Sequence, residues 1–233
     1  MAHPLYHARS SAARHGGPAA AYMDLHSWMD RSKMALADCR HRLALHNAWG
    51  IELGLARFGP ALAVPGVGGV PVRALLEGHV SEDLGRIPAL GDCLPGPGDH
   101  PGAGTAPLDQ AEHRRRSARR FGGRPGDYRA LHALLDGPAR HLDAGRLAGG
   151  HGLLPTHTAL GPFLAEDLLG VAFRRVSDGG EVPTRAAAER HIADDLGCGI
   201  PDLADLVGRM PRTTWLCGRA LALSARFGDD TTG

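Results

Sequence analysis

The chain says much the same thing twice, and this limits its fold more than any single motif does. Shifted by 106 positions, residues 7–30 lie over 113–136 without a gap, and eleven of the 24 positions are identical. Shifted by 112, residues 70–85 lie over 182–197 with nine of 16 identical. Chance at ordinary composition gives roughly one match in fifteen. A chain of 233 residues therefore folds as two homologous units rather than as one large domain. Between the two blocks the second copy carries about five extra residues. There His46 is placed over His157 and Gly50 over Gly161, with His151 as a competing partner for His46.

The boundaries follow from composition. The first unit spans 5–94 and the second, diverged unit 113–210. The linker between them, 95–112, is rich in Pro and Gly and has no apolar period. Residues 211–233 hold one short apolar run, expected as a last short helix, and a tail expected to be disordered.

Within a unit the pattern is mainly helical. Tyr22, Leu25, Trp28, Met29, Leu36, Leu43 and Leu45 recur near helical spacing, and no proline interrupts before Pro60. This predicts one long helix, or two in series, over about 20–57. FGPALAVPGVGGVPVR predicts a small hairpin with Val70–Arg73 as its second strand. Arg73 to Gly85 reads as a short helix closed by Gly85. The fold class expected is mainly α, with two tandem helical units, each bearing a minor β-hairpin. Each half is small for burying all its apolar faces, so the two are expected to pack as a pseudo-dimer.

Composition excludes several functions. The net charge of +1 points to neither nucleic acid nor an anionic membrane. No apolar run is long enough to span a bilayer, and the opening residues lack the apolar core of a signal peptide. HRRRSARRFGGR (113–124) is locally basic and is expected as a solvated turn rather than a nucleic-acid surface. Four scattered cysteines with no C-x-x-C spacing speak against a disulfide framework and a zinc ribbon, so a reducing cytoplasm is the expected setting. The partners left open are an unknown small molecule or protein. No P-loop, dinucleotide fingerprint, H-E-x-x-H or G-x-S-x-G elbow is present, although Ser11 and Ser117 each lie near a histidine.

The histidines carry the functional signal, because many of the 14 fall at matched places. His79 and Asp83 are four apart and share a helix face, as do His26 and Asp30. Around them the apolar residues drift: Leu75, Leu76 and Val80 become Ala187, Ala188 and Ile192, while His79 and Asp83 persist as His191 and Asp195. Imidazoles and carboxylates from separate helices are the donors of a divalent-metal site of the zinc, iron or manganese type. The ligands expected are His26, His46, His79 and Asp83 in the first unit, and His132, His157, His191 and Asp195 in the second. Glu77 (Glu189 in the second unit) is the candidate general base, and Arg73 (Arg185) the candidate anion-binding partner. One function this predicts is a metal-dependent hydrolase of phosphoesters or amides, with the working site in the first repeat. An iron oxygenase shares the ligand types. The alternative class is a non-catalytic helical binding or adaptor module with buried structural histidines.

The stretches MAHPLYHARSS, YMDLHSWMDRSK, RHRLALHNAWGI and VPVRALLEGHVSEDLGRIP resemble a family of small, uncharacterised bacterial and phage domains. The first unit resembles it along its whole length. The second has Pro138-Ala139 for Ser32-Lys33 and Arg146-Leu147 for Arg40-His41. The resemblance implies a fused pair of such domains with no named activity, the second one diverged.

Overall fold

The computed structural model describes residues 3–94, 106–142, 150, 152 and 154–207. The chain divides into two compact units between Cys93 and Leu94. Residues 95–105 of the expected linker, His151, and the expected terminal helix and tail lie outside the described residues.

In the first unit, α1 (Pro4–His15) opens with a proline in its first turn and the His3 ring accepting from Leu5 N–H. A 3-10 turn and α2 (Met23–Met29) follow. The expected long helix then breaks into short pieces: 3-10 turns at Arg31–Met34 and Cys39–His41, α3 (Arg42–Leu45), and α4 (Ala48–Phe58). No proline is needed for these breaks, because polar side chains compete for the backbone. Asp38 accepts from Arg40 N–H at 2.8 Å and starts one segment. Asn47 accepts from Gly50 N–H at 3.1 Å and starts α4. Then β1 (Ala61–Val64) pairs antiparallel with β2 (Gly68–Pro71), with Leu62 opposite Val70. The second strand thus sits two residues earlier than the sequence predicts. The helix α5 (Val72–Leu84) ends at Gly85, which takes the left-handed conformation (φ 76°) that favours glycine. A single turn, α6 (Leu90–Cys93), closes the unit.

The second unit repeats this order with α7 (Gln110–Phe121), α8 (Arg129–Leu135), α9 (Leu160–Leu169), β3 (Ala172–Arg174), β4 (Glu181–Pro183), α10 (Thr184–Leu196) and α11 (Leu203–Val207). The basic stretch expected as a turn is most of α7. Asp109 caps that helix, and Arg115, Arg116 and Arg119 converge on Glu112. No helix among the described residues is long and apolar enough to cross a membrane. Of the described cysteines, Cys93 and Cys198 are free and Cys39 is disulfide-bonded.

Matched local bonds hold both units. The Tyr22 hydroxyl donates to Gly16 O at 2.7 Å, and Tyr128 to Gly122 O at 2.7 Å. The amide of Ala48 donates to Pro88 O, and that of Ala159 to Pro201 O. A Cβ on Gly50 would stand 1.9 Å from Leu45 O, and one on Gly161 1.9 Å from Thr156 O. These shared constraints place His46 over His157. The cores are tuned separately. In the first unit α5 packs on α2 and α4, and Leu76 fills the space over Gly54, where a Cβ would meet its Cδ1 at 2.7 Å. In the second unit the corresponding pair is Ala165 and Ala188, both fully buried. One side chain has grown by a methyl and the other has shrunk from Leu to Ala, so the second unit needs less room at this contact.

Candidate metal centre

The site in the first unit is assembled from four segments. His7 comes from α1. His26 and Asp30 come from α2 and its C-terminal cap. His41, Arg42 and His46 come from the segment around α3, and His79 and Asp83 from one face of α5. All of these residues are buried.

Distances divide them into layers. His79 Nε2 lies 3.0 Å from His46 Nε2 and 4.0 Å from Asp30 Oδ1. His46 Nε2 lies 3.3 Å from Asp83 Oδ2 and 3.6 Å from Asp30 Oδ1. Four donors held ~2.1 Å from one cation stand roughly 3.0–3.4 Å apart along their shared edges. Asp30, His46, His79 and Asp83 therefore form a group able to hold a metal ion, their donor atoms all within 4.8 Å of one another. Asp30 Oδ1 and His46 Nδ1 are buried without a hydrogen-bond partner, which is costly unless something polar satisfies them.

Three of the four ligands expected from sequence are thus brought together, and Asp30 takes the place of His26. His26 stands behind His79, its Nδ1 2.9 Å from His79 Nδ1 and its Nε2 2.9 Å from Ser11 Oγ. Such an arrangement orients a ligating imidazole through its far nitrogen. Glu77 and Arg73 are not at this site. They form an exposed i,i+4 pair at 3.5 Å, their side chains 40% and 57% exposed, on the face of α5 away from His79. In the second unit Arg185 instead pairs with Glu166 and stacks over Phe163.

Fixed charges hold the carboxylates in place. Lys33 Nζ reaches Asp30 Oδ2 at 2.7 Å, leaving Oδ1 turned toward the imidazoles. His41 Nε2 lies 3.5 Å from Asp30 Oδ1. The buried Arg42 lies 2.8 Å from Asp83 Oδ2. Burial alone would raise the Asp83 carboxyl. Hydrogen bonds from His46 and His7, and the charges of His46 and Arg42, hold it far below the carboxylate range instead. His7 lies between Glu82 (2.7 Å) and Asp83 (3.4 Å). Burial works against its charge, but these carboxylates prevail and raise it to about 9. His7 is therefore a cation at neutral pH. Burial and the neighbouring imidazoles push His79 well below its ordinary value, and burial beside His7 lowers His26 to about 4. Both are neutral at pH 7, the form a metal requires of an imidazole.

The second unit repeats the group as Asp136, His157, His191 and Asp195. His191 Nε2 lies 3.3 Å from Asp136 Oδ1 and 3.5 Å from Asp195 Oδ2, and His157 Nε2 lies 2.9 Å from Asp195 Oδ2. His132 again stands behind, 2.9 Å from His191 and 3.0 Å from Ser117 Oγ. Burial, then His191 and His113, lowers it to about 3.

Compared with known families, residues 2–97 and 108–216 each match the model of a domain of unknown function, DUF6915. The chain belongs to the DUF6915 family. It carries the DUF6915 domain twice, and each copy contains one complete Asp₂His₂ group. No curated protein and no solved structure matches the chain. Of the residues in this DUF6915 site, sequence reasoning passed over Asp30, His7 and Ser11 as functional candidates. All three are identical between the copies, as Asp136, His113 and Ser117, and that identity was the available signal.

Proposed function

We propose that each unit is a divalent-cation-binding module, with the ion held by Asp30, His46, His79 and Asp83 in the first and by Asp136, His157, His191 and Asp195 in the second. The observation that carries this is the convergence, in both units, of two imidazoles and two carboxylates on one buried point. Mixed nitrogen and oxygen donors suit zinc, iron or manganese. The enclosure of the donors favours a retained ion, one that holds the fold or cycles its charge, over the hydrolase expected from sequence. Hydrolysis needs a coordination position open to substrate, and the expected base, Glu77, faces solvent.

A second reading is favoured by Lys33 and Arg42, which already neutralise Asp30 and Asp83 in the first unit. In that reading the histidines are a buried hydrogen-bonded network, and the domain is a metal-free binding module. Thermal melting of chelator-treated protein with and without added zinc or manganese separates the two. A metal at ~100 times its dissociation constant adds about 2.7 kcal/mol of stability, so the metal reading predicts a melting temperature raised by manganese, a rise that Asp30→Asn and Asp136→Asn together abolish. A melting temperature indifferent to every metal tried supports the network reading.

A further inference from the structure

Each DUF6915 unit gathers two further imidazoles around its central histidine, and among the described residues only those of the second unit bring their ring nitrogens together. In the second unit His113, His132 and His191 bring one ring nitrogen each within 4.8 Å of one another, all three side chains buried. His132 Nδ1 lies 2.9 Å from His191 Nδ1, and the His113 and His191 rings lie with centroids 3.8 Å apart, tilted by 34°. The corresponding rings of the first unit, His7, His26 and His79, do not form such a group among the described residues.

The acidic residue beside the cluster differs as well. In the first unit both nitrogens of His7 are committed, Nδ1 to Glu82 at 2.7 Å and Nε2 toward Asp83 at 3.4 Å. In the second unit the position of Glu82 is Asp194, one methylene shorter. Asp194 pairs with Arg190 at 2.7 Å and faces Arg116 at 3.5 Å rather than holding the histidine. His113 keeps Asp195 through Nε2 at 2.8 Å.

We propose that His113, His132 and His191 form an additional, all-nitrogen cation site, found in the second unit alone, that takes a borderline-soft divalent metal, copper or zinc. Imidazole donors without carboxylate select these ions over manganese or magnesium. His191 stands between two sites, with Nδ1 on the imidazole side and Nε2 on the Asp136 and Asp195 side. When both are filled its ring bridges two ions as imidazolate, and its remaining ring proton passes to solvent. The inference does not depend on the carboxylate group binding metal.

The test uses the full chain. Zinc is titrated against a chromophoric chelator in wild type, His132→Gln, Asp30→Asn and Asp136→Asn, and one equivalent of copper(II) is examined by electron paramagnetic resonance. His132 belongs to the imidazole group alone and Asp136 to the carboxylate group alone. The expected result is that His132→Gln binds one zinc fewer than wild type, while Asp136→Asn keeps that equivalent. Wild-type copper should show three equatorial nitrogens, a signal lost in His132→Gln and kept in the first-unit control His26→Gln. Equal zinc binding by wild type and His132→Gln overturns the proposal. If His132→Gln fails to fold, the wild-type copper spectrum decides, since two nitrogens or fewer contradict the site. A loss confined to His132→Gln, with Asp30→Asn and Asp136→Asn unaffected, leaves this site standing and removes the carboxylate sites.

Discussion

The two units repeat one buried Ser–His–His chain and differ in what fills the space around it. Ser11–His26–His79 and Ser117–His132–His191 repeat with contacts between 2.9 and 3.0 Å. Meanwhile the core pair Gly54 and Leu76 has become Ala165 and Ala188. Apolar packing is non-directional, so many combinations of side chains satisfy it. A buried imidazole or carboxylate needs particular partners at particular distances. The polar set is thus the rigid requirement of this fold. The charges beside it are adjustable: Lys33, paired with Asp30, gives way to Ala139, whose amide still donates to Asp136 O as that of Lys33 does to Asp30 O.

This contrast can be broken experimentally. The largest effect is expected at Asp83→Ala. It leaves the buried Arg42 and the protonated His7 without their shared carboxylate, and breaking such a buried pair costs about 3–5 kcal/mol. Urea unfolding of the metal-free protein measures it, and a loss under ~1 kcal/mol would show that the pair is solvated. Next is the core swap. Leu76→Ala is expected to cost about 2–5 kcal/mol, and Gly54→Ala about 1–3 kcal/mol through the clash at Leu76. The double variant recreates the pair found in the second unit, so it should be more stable than the sum of the two losses, by ~1 kcal/mol in a thermodynamic cycle. Strict additivity would mean that the two positions are not in register.

His7 gives the comparison a pH signature. Its folded value of about 9 lies above its ordinary 6.5, so the folded state binds the proton more tightly. The resulting stability, up to about 3 kcal/mol, is fully present below pH 6.5 and is lost as pH rises through about 9. Unfolding of metal-free protein across pH 6–10 should show this decline, and His7→Gln should flatten it. A decline of equal size in that variant would assign it to another group. The smallest effect is expected at the exposed pair: Arg73→Ala and Glu77→Ala should each change stability by less than about 0.5 kcal/mol and leave metal content unaltered.

What could be read from sequence follows the same division. The hairpin, the αL-capped helix and the shared face of His79 and Asp83 were legible, because local chemistry and helical periodicity determine them. The break of the long helix was legible in part. Asp38 and Asn47 are N-cap residues, but the apolar period runs through them and outweighs a single cap in a pattern search. Asp30 was read only as sharing a helix face with His26, which was the expected ligand. The structure brings the Asp30 carboxylate to the group instead, because the chain turns at Asp30 and carries it inward, a consequence of packing between distant segments. The placing of Glu77 in the site had the opposite cause, since a residue retained between copies on a helix can serve an exposed ion pair.

The central claim is that each unit holds a cation in its Asp₂His₂ group. Elemental analysis of the full chain after reconstitution with zinc or manganese, beside Asp30→Asn, Asp136→Asn and the double variant, tests it most directly. The account predicts that each single substitution removes about one metal per chain and that the double variant loses both. Less than about a tenth of a metal per wild-type chain, or a content unchanged in the double variant, would contradict it.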